Sequence, residues 1–521
     1  PKNGGICFVT NGAFLDSNSA DGMRKCLAED FSEIYIFNLR GNQRSGDWDK
    51  EGEKVFGEGS QCSVAITLLV KTERRPCEIY YYEVEDYMRR REKLDELVRL
   101  RSFGDMMNAG IMRRIIPNEW GDWLNMRSEL YQSFIRLGNK KEKDEFAIFD
   151  ERYSRGVVTG RDAWCYNFSR ESLCANMRAM IDVYNSERER WRNYHGGGDI
   201  RAFVTNDEHK ISWSNTLYRH AKNGIIMTYR DYAVRVSLYR PFTKEYLYFD
   251  KFMNEATYQM LSIFPEHDTK NLLICISGIG GNKGFSALMT DSLPCLDAIE
   301  KGQCFPLYWY ERREKDLYNS GGFERIDGVS DAALQRFRDY YGDLSITKEE
   351  IFYYIYGVLS SPEYAARFGD DTKKILARVP FASKFREFSE IGRELGKLHV
   401  NYESVSMWPI RFEGNAEDLR VTKLRIIERN GEKVIRYNEN LTISGIPVEA
   451  WEYVVNGRSA LGWIVERYRD EVDKASGLRN DCNAWGRESG NERYILELIG
   501  RVTRVSVESV RILRSMPELG V

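Results

Sequence analysis

The strongest constraint in this chain is a pair of period-two runs that meet at a proline. Val234, Val236 and Leu238 alternate with Arg235, Ser237 and Tyr239; beyond Pro241, Tyr246 and Tyr248 alternate with Leu247 and Phe249. Successive side chains on a strand point to opposite faces, so each run predicts a strand with one apolar face. Proline has no backbone N–H to give to a ladder, and it ends the first strand. Arg235, Tyr239, Arg240, Lys244 and Tyr246 then form an expected polar surface. Guanidinium forks match phosphate oxygens and guanine edges, and aromatic rings cover sugars and bases, so such a surface suits DNA. The same residues also sit on any half-exposed sheet, and composition alone favours that plainer reading.

At 521 residues the chain is long enough for two to four domains. No apolar run approaches the ~20 residues that cross a bilayer, so no membrane partner is expected. A formal net charge of -3 means that any nucleic-acid surface is a local patch rather than a global field. The ten cysteines form no Cys-x-x-Cys pair and only five histidines are present, which argues against a zinc site and predicts no metal. Reduced cysteines in a cytoplasmic protein are the default. The opening Pro1-Lys2-Asn3-Gly4-Gly5, without an initiating Met, reads as a fragment.

Taken in order, strand Ile6–Val9 leads through Asn11-Gly12 to a helix near Ser17 or Ser19, with Met23 and Leu27 on its expected buried face, and then to strand Glu33–Leu39. Residues 41–59 are a polar, glycine-rich loop. Strands Ser63–Val70 and Cys77–Val84 are expected to pair as a hairpin across Lys71–Pro76. A charged helix spans about Glu85–Phe103, where Arg89-Arg90-Arg91 is a solvated face. Trp120, Trp123, Leu124, Tyr131 and Phe134 recur at helical spacing through 115–143. Strands dominate from about 150 to 310, with a helix over 169–193. Gly278–Gly284 follows a strand, and its third glycine stands one position late for a dinucleotide loop, so it reads as a hairpin turn with Asn282 and Lys283 at a tip able to reach a groove. Arg161 and Asp162 read as a DNA contact or, preferably, as an ion pair holding a loop. Residues 347–399 are helical, Asn430-Gly431 marks a hairpin, and helices follow over 447–455, 460–468 and 491–505.

The Tyr239-Arg240-Pro241-Phe242 run, followed by Tyr246–Asp250 and Asn254-Glu255, resembles the target-recognition region of type ISP restriction-modification enzymes. The resemblance extends through Thr159–Trp164 with Tyr166-Asn167-Phe168, Cys304–Tyr308, Ile351–Tyr356 with Ser361–Tyr364, and Tyr453–Leu461 with Trp463. It implies an α/β and α+β multidomain chain: the tail of a Rossmann-like methyltransferase sheet over 1–88, then a helical connector over 89–150 and a β-rich recognition lobe over 151–345. A helical segment over 346–410 and an α+β part over 411–521 complete the specificity domain. The opening strand, helix and closing hairpin are similar to the last third of a gamma-class DNA N6-adenine methyltransferase, in which an aromatic residue stacks on the flipped target adenine. Phe56 stands at the matching place and reads equally as an anchor for its loop.

The resemblance implies double-stranded DNA as partner, with Arg161, Tyr166, Arg235, Tyr239, Arg240, Lys244, Asn282 and Lys283 as contact candidates. For the parent polypeptide it implies S-adenosylmethionine, and ATP and Mg for a motor and nuclease. The cofactor motif Phe-x-Gly-x-Gly and the catalytic Asn-Pro-Pro-Tyr are not in this sequence, and Ser361-Pro362-Glu363-Tyr364 lacks the second proline. This chain alone is therefore expected to be inactive as a methyltransferase, monomeric, and packed on upstream methyltransferase and helicase domains of its own polypeptide. The alternatives are the methyltransferase-specificity part of a type IIG or phage-exclusion enzyme, and a protein-interaction scaffold.

Overall fold

The computed structural model describes residues 3–43, 48–57, 61–140, 144–313, 322–415 and 417–521. They fall into two compact units. The first holds residues up to Phe134 together with Ile279–Phe285 and Ala366–Pro380, and the second holds the rest.

In the first unit, β1 (Gly4–Asn11) leads through α1 (Asp21–Asp30) to β2 (Glu33–Asn38), followed by β3 (Val64–Lys71), β4 (Glu78–Glu83) and β5 (Arg113–Ile115). The sheet order is β1-β3-β2-β4-β5. β3 is antiparallel to both β1 and β2, and β2 is parallel to β4. The expected hairpin between β3 and β4 does not form, because β2 lies between them. Both faces of the sheet are covered: Ile34, Ile36, Leu69 and Ile79 pack with Phe14 and Trp123 on one side, while Phe37, Val64 and Val84 pack with Leu100 and Met106 on the other. A strand buried on two faces reads as a continuous apolar run, which accounts for Ile34-Tyr35-Ile36-Phe37. β1 is an exposed edge strand.

α1 departs from its expected face. Met23 is exposed and the buried side chain is Arg24. Its guanidinium donates to the carbonyls of Phe14, Ser17 and Gly121, and lies 3.6 Å from Asp122. Asp122 also binds Arg127 and Lys374. Helical periodicity through 115–143 was misleading: among its described residues the only helix is the single turn Glu129–Gln132, which carries buried Tyr131, while Trp123 and Phe134 are buried from irregular backbone. Arg89, Arg90 and Arg91 are exposed, as a solvated face requires.

The second unit is built on two four-stranded sheets. In one, Leu293–Pro294, Val234–Arg240, Thr243–Tyr248 and Tyr166–Asn167 lie side by side; in the other, Ala287–Thr290, Leu273–Ile276, Gln303–Pro306 and Ser154–Arg155. The helix Arg170–Arg192, capped by the Ser169 side chain, buries Leu173, Met177, Met180, Ile181 and Tyr184. Helices Lys348–Ser360 and Phe385–Val400 touch through their backbones. A Cβ at Gly357 would stand 2.2 Å from the Phe388 carbonyl oxygen, and one at Gly392 would stand 1.9 Å from that of Tyr353, so only glycine fits either site. Buried His399 ties this pair to the last helix, Tyr494–Arg514. Its Nδ1 lies 2.6 Å from the Tyr356 hydroxyl, and its Nε2 lies 2.9 Å from Ser509 and 3.0 Å from Tyr453.

A further sheet, in the order Arg411–Gly414, Leu441–Ser444, Glu432–Arg436 and Arg425–Arg429, packs Ile435, Leu441 and Ile443 into the core. Its Asn430-Gly431 turn has both residues at positive φ, +54° and +78°, the backbone that a two-residue hairpin needs. Among the described residues no helix is long and apolar enough to cross a membrane.

Candidate nucleic-acid interface

The antiparallel register of the Pro241 hairpin decides the fate of the surface expected there. Leu247 stands opposite Arg235, Tyr246 opposite Val236 and Lys244 opposite Leu238. Residues paired across strands share a face, so Arg235 and Tyr239 lie on one side of the sheet while Lys244 and Tyr246 lie on the other. The single polar surface does not exist. Alternation recorded which residues share a side, but both sides of this sheet are covered by other segments.

Each side chain is committed inside the fold. Arg235 is buried, donating to the carbonyls of Phe264 at 3.4 Å, Pro265 at 3.3 Å and Glu266 at 2.7 Å. Tyr166 is buried against the Tyr239 ring at 4.6 Å, and the Tyr239 hydroxyl donates to Asp162 at 3.2 Å. Arg240 stacks on the Tyr239 ring and lies 3.4 Å from the Cys295 sulfur. Lys244 pairs with Glu403 at 2.8 Å. Arg161 makes no ion pair with Asp162. It donates to the Ser212 and Met253 carbonyls and the Ser214 hydroxyl, and so closes three chain segments onto one another. Phe242 occupies the hairpin turn at φ +56° with its ring buried against Tyr402, Tyr453 and His399. The Tyr239–Phe242 run therefore fixes a corner of the scaffold. Arg161, Tyr166 and Arg235 are buried, while Tyr239, Arg240 and Lys244 are half-buried and hold partners inside the fold.

The remaining candidates fall in the first unit. A cavity of about 480 Å³ opens where β1 and β2 end, lined by Asn11, Asn38, Ser63, Asn125, Asn282 and Lys373 among others. Strand ends of an open α/β sheet are where such folds place ligands. The wall mixes asparagine and serine side chains with Asp16, Glu51, Lys373 and Lys374 and with apolar Leu15, Leu124 and Ile279. Asn38 donates to the Tyr81 hydroxyl at 2.8 Å, Asn18 donates to the Lys374 carbonyl at 2.9 Å, and Asn125 donates to Asp16 at 3.3 Å. Burial pushes the Asp16 carboxyl above its usual range, against the opposing pull of Lys373, Lys374 and Arg24.

Asn282 is exposed on this wall, and Lys283 follows it in the 277–286 turn of an antiparallel hairpin. Phe56 is 53% exposed on the loop between Glu51 and Cys62, both of which line the cavity. Among the described residues, no cluster of His, Cys, Asp and Glu is placed to hold a metal ion. The sequence reading passed over one surface, the solvent face of the 411–444 sheet. Arg425 and Arg436 flank the Asn430-Gly431 turn, and the hairpin register brings them side by side.

Residues 147–498 match the model of the type ISP C-terminal specificity domain. Among solved structures, the chain superposes with a TM-score of 0.87 and 37% identity on a nuclease-deletion mutant of the type ISP restriction-modification enzyme LlaGI in complex with a DNA substrate mimic, over 99% of this chain and 47% of that one. It matches DNA-bound LlaBIII, an ATP-dependent type ISP enzyme, with a TM-score of 0.86 and 32% identity, covering 99% of this chain and 33% of that one. For DrdV in its DNA complex the values are 0.82, 32%, 99% and 50%. This chain thus spans half or less of each of these proteins. No curated protein sequence matches it. The match over two thirds of the chain and the identity with LlaGI over nearly all of it together establish that this chain belongs to the type ISP C-terminal specificity domain family.

Proposed function

We propose that this chain reads the DNA target of a type ISP restriction-modification enzyme, directing adenine-N6 methylation and ATP-dependent cleavage by a longer cytoplasmic polypeptide. The observation that carries the reading is the superposition of 99% of the chain, at 37% identity, on an enzyme bound to a DNA mimic. In this reading the first unit is the end of a methyltransferase domain, supported by its β1-α1-β2 crossover and its strand-end cavity. S-adenosylmethionine supplies the methyl group in the parent enzyme. Its Phe-x-Gly-x-Gly motif is not in this sequence. Phe56 offers an exposed flat ring to a target base turned out of the helix, and the asparagines of the strand-end cavity are suited to a base edge.

The test is enrichment of duplexes from a random library on the 521-residue chain at low salt. One asymmetric motif should emerge, bound roughly 10³-fold or more tighter than scrambled DNA. Enrichment of no motif, with binding independent of sequence, overturns target reading. In the parent enzyme, Phe56→Ala should slow methyl transfer by roughly 5- to 150-fold, the ~1–3 kcal/mol of one base stacked on an aromatic ring. An unchanged rate would make Phe56 a loop anchor.

A further inference from the structure

We propose that the sheet formed by Arg411–Gly414, Leu441–Ser444, Glu432–Arg436 and Arg425–Arg429 is a clamp for the phosphate backbone of duplex DNA, gripping it through Arg425 and Arg436. The inference rests on the DNA-reading proposal and adds to it a surface and a kind of contact.

Register places Arg436 directly opposite Arg425, with Thr442 and then Glu413 continuing the same row across the sheet. The opposite face holds Ile435 and Ile443 in the core; on this one Arg425, Arg436 and Glu413 are exposed and Thr442 is half-buried, while Val434 beside Arg436 is buried. Arg411 pairs with Ser444, two residues from Thr442, and so lies on the same face. Two like charges directly opposite on neighbouring strands destabilise a sheet. Among the described residues neither Arg425 nor Arg436 has an ion pair or a side-chain hydrogen bond, and both are exposed. The acids on this face do not relieve them. Glu413 is taken by Arg429 at 2.7 Å and by the Ser444 hydroxyl, and Glu432 stands opposite Arg429.

The Arg429–Glu413 pair also reports shape. These residues belong to the two edge strands of a four-stranded sheet, which lie about 14 Å apart when the sheet is flat. Contact at 2.7 Å requires the sheet to curl toward this side. The result is a concave, arginine-bearing face on a chain whose net charge is negative. Guanidinium forks bind phosphate oxygens two at a time, and a backbone of regularly spaced phosphates is an occupant that satisfies two adjacent unpaired arginines together. Contacts of this kind position a duplex and carry no sequence information.

The experiment measures binding of the 521-residue chain to target-bearing and scrambled duplexes across a salt series. For the variant R425Q/R436Q, the slope of log K against log salt should fall by about 1.8, since each lost phosphate contact removes about 0.9. Both duplexes should weaken by the same factor, and the melting temperature should stay level or rise as the like-charge pair disappears. The variant R425K/R436K keeps the charges and should keep the slope. An unchanged slope for R425Q/R436Q, weakening confined to the target-bearing duplex, or a slope lost in the lysine pair would each overturn the clamp while leaving target reading intact. Failure of the unaltered chain to bind any duplex at low salt would instead remove the DNA-reading proposal, and this inference with it.

Discussion

Replacing Asp122 by asparagine should loosen the first unit more than any other single polar change. Its carboxylate is fully buried and accepts from Arg127 at 2.9 and 3.2 Å and from Asn118 at 2.9 Å, with Lys374 at 2.8 Å and Arg24 at 3.6 Å. Arg24 is fully buried too, and Lys374 nearly so. Burial alone would push the Asp122 pKa up, but the hydrogen bonds from Arg127, Lys374 and Asn118 outweigh it and hold the group well below the usual carboxylate range. Asparagine keeps the shape and one acceptor and deletes the charge, leaving two buried cations without their anion. Breaking a buried pair in this way costs about 3–5 kcal/mol. At roughly 2–4 °C per kcal/mol for a domain of 150–250 residues, the unit should melt roughly 6–20 °C lower.

Hydrogen exchange followed by mass spectrometry separates the two units. Peptides from β2, β3 and β4 should exchange about two to four orders of magnitude faster at the same energy, while peptides from 348–400 stay unchanged. Because the folded pKa is depressed, this stabilisation is present above about pH 4, the ordinary aspartate range, and is lost as pH falls below it. Adding Lys374→Met to the asparagine variant should recover part of the loss, since one stranded cation goes with it. A cost under about 1 kcal/mol, or strictly additive losses, would refute the network as the clasp of this unit.

Glu245 gives a pH dependence of opposite sign. It is buried, accepting from Asn480 at 3.0 Å, and burial raises its pKa to about 7. Its folded pKa exceeds the unfolded value, so stability falls as pH rises from about 4 to 7 and stays lower above that. Glu245→Gln should flatten this slope in urea midpoints measured between pH 5 and 8; an unaltered slope would assign it to other groups. Arg161→Ala and Arg235→Ala strand buried carbonyls and should each lower unfolding free energy by about 1–3 kcal/mol, measured in urea, without changing the salt slope of DNA binding. A reduced salt slope in a fully folded variant would show that these arginines reach phosphate after all.

Much of the local structure was legible. The helices over 169–193 and 347–399 and the Asn430-Gly431 hairpin follow from caps, apolar periodicity and turn chemistry, and they stand where those signals put them. Pairing was less legible. Residues 63–70 and 77–84 look like neighbours because a short charged turn joins them, yet β2 offers Ile34, Ile36 and Phe37 to both flanks and takes the place between. Burial of polar residues was illegible too. Arg24 and Arg235 look like surface side chains, but each finds three carbonyl groups that no local pattern reveals.

Taken by itself, the sequence determined many of the strands and helices, though not the irregular backbone of 115–143, since propensity, period and caps act within a few residues of one another. Through its ordered motifs it also determined the family. Only the tertiary structure decided which polar side chains are free to meet a partner. That depends on what segments distant in sequence place over each face, and here it turned the Tyr239–Phe242 run into scaffold and left Arg425 and Arg436, far less conspicuous in the sequence, open to solvent.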